Sequence, residues 1–522
     1  MLLADLAATS SALATTRSRL AKRALLADLL RRTPPEDVAV VSRYLGGELR
    51  QRRTGLGWRS LATLPSPAAE PTLTVAEADA AFERMSLLAG SGSGTARAAE
   101  AAALFGAATA DEQRLLGGLV TGELRQGSLD ALLLDAVAEA AGVPPEAVRR
   151  AAMMAGATEP VAVAALAASS PEDALAALRG FALVVGRPVR PMLAQSAPDV
   201  AAALTALGGG RVVVDTKLDG IRIQVHRTGD DVQVFTRSLD DITGRVPEIV
   251  ALVRGLPATD VVLDGEALAV GPDGRPRPFQ ETSSRTATRD ADIASVTTLT
   301  PYFFDCLHVD GEDLLDAPLL RRLDALDAVA GAFAVPRLLT DDPAAARARF
   351  DAVVGAGQEG VVVKAVDAPY EAGRRGAAWV KVKPRHTLDL VVLAVERGSG
   401  RRQGLLSNIH LGARDGAGGF VMLGKTFKGM TDEMLRWQTE RFTELADGPT
   451  DGYVVHLRPE QVVEIAFDGV QRSTRYPGGL ALRFARVLRY RDDKPVEQAD
   501  TIQTLQSLLP QPRTRPTFLR PS

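Results

Sequence analysis

Across residues 1–190 alanine and leucine recur three and four positions apart, aromatic residues are sparse, and turn-formers cluster at Pro34-Pro35, Pro65 to Pro71, Gly90 to Gly94 and Pro144-Pro145. Apolar residues at that interval line one side of a helix, so this segment is expected to be all-helical, broken at those clusters. It also carries an internal repeat. Thr33-Pro34-Pro35-Glu36 leads to Gly47-Glu48-Leu49-Arg50-Gln51, and Thr109-Ala110-Asp111-Glu112 leads to Gly122-Glu123-Leu124-Arg125-Gln126 at nearly the same spacing. Each Thr-x-x-Glu is expected to be a capping box opening a helix that ends near the glycine, which gives two similar halves able to straddle a symmetric partner. Gly90 to Thr95 lacks the Gly-Lys-Ser/Thr that would complete a phosphate loop and reads as a flexible loop.

From Arg211 the pattern changes to short valine-rich runs: Arg211 to Val214, Ile221 to Val225, Val232 to Phe235, Val261 to Leu263 and Val361 to Val363. Helical patches lie near 318–331 and 342–356, so the middle reads as an antiparallel-rich α+β unit. After Pro384 come strands at Leu388 to Val395, Val462 to Phe467 and Leu482 to Leu488, glycine-rich turns, and a helix near 431–446. That count and those lengths fit a small Greek-key barrel of the oligonucleotide-binding type.

The chain has 522 residues, 46% hydrophobic and 24% charged, enough for about two to four folded domains and too apolar for disorder. A single cysteine, Cys306, excludes a disulfide framework or a multi-cysteine metal site, and five histidines leave little for metals. The apolar opening Met1 to Ala14 carries Asp5 and no basic leader, and no run has bilayer length, so no membrane partner and a cytoplasmic location are expected. Net charge is −3, unevenly spread: 20 basic and 20 acidic residues over 1–190, 21 and 28 over 191–383, 20 and 16 over 384–522. The chain uses 53 arginines and only 8 lysines, seven of them after residue 216, mostly in short strand-like runs. A guanidinium stays protonated, whereas a lysine amine can become a nucleophile, so these positions point to a need for an amine.

Lys217 ends a strand in Asp215-Thr216-Lys217-Leu218-Asp219-Gly220-Ile221-Arg222. A free lysine titrates near ~10.4, so a nucleophilic one is expected to be desolvated or set beside other cations, which the remaining lysines can supply. Lys381 and Lys383 alternate in Trp379-Val380-Lys381-Val382-Lys383 and share a strand face, suited to a polyphosphate. Glu266 and Glu359 each abut a strand, where two carboxylates near such lysines can hold magnesium or accept from a ribose. On pattern alone Phe304 is either core or a base platform, Trp379 reads as core, and Arg483 to Lys494 reads either as a salt-bridged edge strand or as a phosphate contact.

Lys-x-Asp-Gly-x-Arg at 217–222, Arg237-Ser238, Asp264-Gly265-Glu266, Phe304-Asp305, Glu359 to Lys364 and Trp379 to Lys383, in this order, resemble the nucleotidyltransferase motifs of ATP-dependent DNA ligases. Arg483 to Lys494 looks like the last motif of that family, with five basic residues against two acidic. Asp215 stands where many members have glutamate, and Ala485 where proline is common. The resemblance implies a multidomain α and α+β protein: an all-helical DNA-binding domain over 1–190, an α+β nucleotidyltransferase core of ATP-grasp-like type over 191–384, an OB-fold β-barrel over 385–505 and a flexible tail over 506–522. It implies that Lys217 takes AMP from ATP, that Asp215 meets the adenine amino group, and that Phe304 stacks on the base. Arg222 and Glu266 would hold ribose or a metal, Glu359 would bind metal, and Arg237, Arg375, Lys381 and Lys383 would lie at phosphates. Arg483, Arg486, Arg489, Arg491 and Lys494 would meet DNA or phosphate as the last domain swings about a joint near Pro384 to Thr387. The implied cofactors are ATP and Mg2+, with Mn2+ also suited, and the implied partner is nicked double-stranded DNA, bound by a monomer. An RNA ligase or RNA-capping nucleotidyltransferase shares the lysine chemistry but has no need of the helical repeat.

Overall fold

The computed structural model describes the chain except residues 52, 125–128, 272–276, 278, 288–297, 372–374, 400–401 and 510–522, and except the side chains of 129, 279–280, 286–287 and 375–377. Arg125-Gln126 of the second repeat, the Arg375 side chain and most of the expected tail therefore lie outside the described residues. Helices fill the chain from Leu3 to Arg179 and share one core of alanine, leucine and valine. None of the described helices is long and apolar enough to cross a membrane.

One of the two expected capping boxes forms. Glu112 accepts from the Thr109 amide at 2.7 Å, the Thr109 hydroxyl accepts from the Glu112 amide at 3.5 Å, and the helix Ala110–Thr121 stops at Gly122. Thr33 does the opposite: it closes the helix Arg19–Arg32, and its hydroxyl donates backwards to the Leu29 carbonyl at 2.8 Å. With that hydroxyl spent and Pro34-Pro35 in between, the next helix, Val38–Leu45, starts after Asp37 without a side-chain cap and ends at Gly46. The reciprocal box in this half is Thr74 with Glu77, at the head of Val75–Leu87. Gly90 to Thr95 is only half a loop, because the helix Ser93–Ala107 already starts at Ser93.

The middle of the chain forms ten strands: β1 (Leu193–Ala197), β2 (Val212–Lys217), β3 (Ile221–Thr228), β4 (Asp231–Thr236), β5 (Asp260–Ala269), β6 (Leu299–Val309), β7 (Glu312–Asp313), β8 (Arg337–Thr340), β9 (Gly360–Ala365) and β10 (Arg375–Val382). They make two five-stranded sheets, ordered β1-β10-β9-β2-β8 and β4-β3-β5-β6-β7. Every pairing is antiparallel except β1 with β10. The first sheet packs on the helices Val200–Ala206 and Pro343–Gly355, the second on Pro247–Arg254 and Leu319–Ala330. Met153 and Met154 from the helical part pack with Leu183, Val189, Met192 and Tyr370, joining the first third of the chain to the sheets.

One buried ion pair ties the helix Leu319–Ala330 to β6. Arg322 and Asp305 are both fully buried, with Nε to Oδ1 at 2.7 Å, and the guanidinium also donates to the Ala317 and Ala368 carbonyls. Burial raises the Asp305 pKa and the Arg322 charge opposes that rise. The pair thus fixes β6 at the residue beside Phe304.

Beyond a three-residue joint, Lys383 to Arg385, the chain forms β11 (His386–Arg397), β12 (Leu406–Arg414), β13 (Phe420–Thr426), β14 (Val454–His456), β15 (Val462–Phe467), β16 (Gly469–Arg472), β17 (Leu480–Arg483) and β18 (Arg486–Tyr490). The sheet order is β13-β12-β11-β15-β18, with β14 also on β11 and β16-β17 as a separate ribbon. Among the described residues this path does not close into a barrel. The run expected as one strand at 482–488 is two, because Phe484 adopts a left-handed φ of 55° that breaks the ladder.

Arg322→Met strands the Asp305 carboxylate in the core and is expected to lower the unfolding free energy by about 3–5 kcal/mol, read from urea unfolding. A loss under about 1 kcal/mol would refute its role as the tie between helix and sheet.

Candidate active site

β2 leaves the first sheet at Lys217, and Leu218-Asp219-Gly220 turns the chain into β3 of the second. Between the sheets lies a cavity of about 380 Å³, a size suited to a small-molecule ligand. Its lining includes Asp215, Lys217, Arg222, Arg237, Glu266 and Lys381. With Phe304 the lining holds seven of the expected site residues, and Lys364 and Trp379 lie in the same pocket.

At the end of β2, Glu359 is the central charge. One of its carboxylate oxygens takes the Lys217 ammonium and the other takes that of Lys383. The backbone forces this meeting: Lys217 pairs in register with Gly360, and Val361 pairs with Val382. Gly360 has φ +140°, and a Cβ there would collide with the Val382 carbonyl, so only glycine lets the strands close in front of Glu359. Lys217 thus sits against a carboxylate that it shares with a second cation, Lys383, with Lys381 in the same pocket. For Lys383, burial lowers the pKa, but ion pairs with Glu359 and Asp468 outweigh it and raise the pKa above the ordinary lysine value.

Deeper in, Asp215 is 2% exposed and its Oδ2 is ion-paired with Lys364 Nζ at 2.6 Å, while its Oδ1 has no hydrogen-bond partner among the described residues. A buried acceptor left open in this way calls for a donor from a ligand. Lys364 Nζ donates to the Phe304 carbonyl at 3.1 Å and stands 4.8 Å and 4.3 Å from the centroids of the Phe304 and Trp379 rings. The two rings meet edge to face at 5.8 Å. Phe304 packs on Trp379 and also lines the pocket; Trp379 is buried, as expected, and lines the pocket beside it.

Arg222 lines the pocket, but its guanidinium is engaged with protein: Asp264 at 3.0 and 2.7 Å, and the Met192 carbonyl at 2.7 Å. Tyr370 completes that group, donating to Asp264 at 2.7 Å. Glu266 accepts from the Gly220 amide at 3.2 Å. Burial pushes its carboxyl up to about 7, with Lys217 and Arg222 pulling it down and Glu359 adding to the rise.

The last motif divides. Arg483 reaches back to Asp219, in the turn after Lys217, through two contacts at 2.6 and 3.1 Å. Arg486 lies 3.4 Å from Asp468, which is 3.3 Å from Lys383. Arg489 pairs with Glu464, and Arg491 and Lys494 both pair with Asp389. So Arg483 and Arg486 join the pocket's ion-pair chain, while Arg489, Arg491 and Lys494 lie on the edge strand and the segment after it. Lys364, Asp219 and Asp468 were not picked out as site residues. The signal for Lys364 was in the alternation, since Val362 and Lys364 share the pocket-facing parity of β9, and a lysine inside an apolar run is rarely idle. Asp219 belongs to the Lys-x-Asp-Gly-x-Arg motif, but its pairing with Arg483, like that of Asp468 with Lys383, spans distant segments and carries no local signal.

Comparison with known proteins agrees with this geometry. The family described as ATP dependent DNA ligase domain matches residues 191–383, and ATP dependent DNA ligase C terminal region matches 402–494. The chain is 74% identical over 510 residues to a probable DNA ligase of Beutenbergia cavernae, covering 97% of this chain and 99% of that one. It is 62% identical over 516 residues to a probable DNA ligase of Nocardioides sp., covering 98% and 99%. The solved structure of Pmar-Lig_PreS3 shares the fold, with a TM-score of 0.63 at 18% identity over 93% of this chain and 99% of that one. The chain belongs to the ATP-dependent DNA ligase family and is a ligase enzyme.

The Glu266 carboxyl ionises near 4.5 when unfolded and near 7 when folded, so stability falls as pH rises between those values and the full penalty is present above them. Glu266→Gln removes the penalty. It is expected to be more stable than the native chain by at most about 3 kcal/mol at about pH 8, and no more stable at about pH 4, by urea unfolding across pH. A gain that does not change with pH would contradict the assignment.

Proposed function

We propose that this ligase seals nicks in duplex DNA, joining a 3′-hydroxyl to a 5′-phosphate through a lysyl-AMP at Lys217 and then a DNA-adenylate. The observation that carries the reading is Lys217 in the lining of a pocket that also holds the buried carboxylate of Asp215, paired with Lys364 on one oxygen and open on the other, together with the Phe304 ring. An adenine amino group is the donor Asp215 lacks, and Lys364 beside it can donate to the adjacent ring nitrogen. Guanine presents an oxygen and an N–H at those positions, the wrong polarity for both, so the pair favours ATP over GTP.

In the first step the Lys217 amine, released from Glu359 and deprotonated, attacks the α-phosphorus of ATP. An N–P bond forms, the bond from that phosphorus to the bridging oxygen breaks, and pyrophosphate leaves. Glu359, already against the amine, is the near acceptor for the proton. Arg237 and Lys381 on the pocket rim, with Lys383 beyond, supply positive charge for the phosphates. An oxygen of the nick's 5′-phosphate next attacks the adenylate phosphorus, the N–P bond breaks, and Lys217 leaves as the protonated amine. The 3′-hydroxyl then loses its proton and attacks the 5′-phosphorus, expelling AMP. Holding each pair of reactants in line is the main task, because little covalent chemistry falls to the protein.

No group of three or more candidate metal ligands occurs among the described residues. The Glu359 charge nevertheless adds to the raised Glu266 pKa, so the two carboxylates share one electrostatic neighbourhood, and magnesium is commonly held by one or two carboxylates completed by substrate phosphates. Those two residues fit Mg2+ or Mn2+, which would supply charge neutralisation at the α-phosphate.

We assign DNA binding to the helical segment 1–190, nucleotidyl transfer to 191–384 and an OB-type barrel to 385–505. For the barrel the support is that the Val487 amide donates to the Lys428 carbonyl at 2.9 Å and the Thr426 hydroxyl to the Ala485 carbonyl at 2.6 Å, drawing the end of β13 back against β18. The test is intact mass after incubation with a divalent cation and ATP, GTP or NAD in turn, followed by nicked duplex. An AMP adduct from ATP alone, absent in Lys217→Ala and discharged as the nick closes, is expected. A GMP adduct would favour the capping reaction, and no adduct on a protein free of AMP would refute the mechanism.

A further inference from the structure

In the helical part Tyr44, Phe82 and Phe105 are buried, whereas Trp58 is 66% exposed. It projects from the short 3-10 turn Trp58–Leu61, and the exposure does not come from a loose segment. Before the turn, Arg50 pairs with Asp79 at 2.8 Å and Glu83 at 3.0 Å, and Gln51 donates to the Asp79 carboxylate at 3.1 Å. Gly55, at φ +74°, lets the backbone lie flat on Arg97, which donates to the Leu88 carbonyl at 2.7 Å. Leu56, Leu61 and Leu64 pack on the helical core on either side of Trp58. The fold holds the turn by its neighbours and leaves the indole in water, where a large apolar surface is costly unless something covers it.

Arg53 and Arg59 lie on either side of Trp58 in the sequence, both exposed, and neither makes an ion pair with a described residue. Elsewhere in this part arginines pair with acids: Arg19 with Asp135, Arg23 with Glu139, Arg43 with Glu159, Arg84 with Glu100. An exposed aromatic ring on a held turn that also carries two exposed arginines without described ion pairs suits a phosphodiester backbone, with cations on phosphates and the ring on the apolar edges of sugars and bases.

We propose that the turn from Arg53 to Leu64 is a contact for the duplex, with Arg53 and Arg59 on phosphates and Trp58 against the neighbouring sugars. The proposal rests on duplex DNA being the substrate, and it names a contact remote in sequence from the nucleotide pocket.

The test uses the full chain and a nicked duplex blocked by a 3′-dideoxy end, without nucleotide. Trp379 is buried and Trp437 partly buried, so the acrylamide-quenchable emission comes mainly from Trp58. Duplex is expected to protect that emission in the native chain, with no such change in Trp58→Phe. By anisotropy, Trp58→Ala should bind duplex about tenfold more weakly and Trp58→Phe nearly as the native chain does. Arg53→Gln with Arg59→Gln should lower the slope of log affinity against log salt by about 2. ATP-dependent labelling of each variant without DNA should match the native chain. If the native chain takes the label but these variants keep native duplex affinity and salt slope, the contact proposal falls while the ligase mechanism stands. A native chain that neither takes the label nor binds duplex overturns both. Loss of a protein partner with duplex binding intact would place another macromolecule on this turn and overturn the proposal.

Discussion

The pocket is organised around one carboxylate that two lysines share. Glu359 holds Lys217 on one oxygen and Lys383 on the other, and the ladders that bring them together leave room only because residue 360 is glycine. Ion pairs of partly buried groups are strong where geometry is fixed and water is scarce, and both conditions hold here. From Lys383 the chain of charges runs through Asp468 to Arg486, and in parallel Asp219 holds Arg483, so the C-terminal sheet rests on the same charges that surround the nucleophile. An incoming polyphosphate competes for the same cations. Its arrival and the release of Lys217 from Glu359 are therefore coupled electrostatically.

The chain's preference for arginine makes this arrangement readable. Arginine serves the salt bridges that fix architecture, such as Arg322 with Asp305 and Arg222 with Asp264. Lysine is kept where an amine faces the pocket: Lys217, Lys364 and Lys381, with Lys383 beside them. A guanidinium at 217 could carry charge but could not attack phosphorus.

Most of the site was legible because its residues sit at strand ends, where a motif of three to six residues fixes both chemistry and direction. Lys217 ends β2, Glu359 abuts β9 and Lys381 stands next to the end of β10, whereas Glu266, expected beside a strand, lies inside β5; Lys217, Glu266 and Lys381 meet at the pocket lining. What sequence could not supply were contacts between distant segments. Asp219 with Arg483 spans 264 positions, and Asp468 meets Lys383 across the joint. The Thr33 capping box failed for a local reason, since a threonine hydroxyl can bond backwards as readily as forwards and the pattern Thr-x-x-Glu does not say which. The strand expected at 482–488 failed because a left-handed phenylalanine leaves no mark in composition.

Four lysines converge on this pocket, and the account stands on only one of them being the nucleophile. Peptide mapping of the protein after reaction with ATP tests that directly, by locating the added AMP among the eight lysines. The account predicts AMP on Lys217 and on no other residue. AMP on Lys364, Lys381 or Lys383 would contradict it.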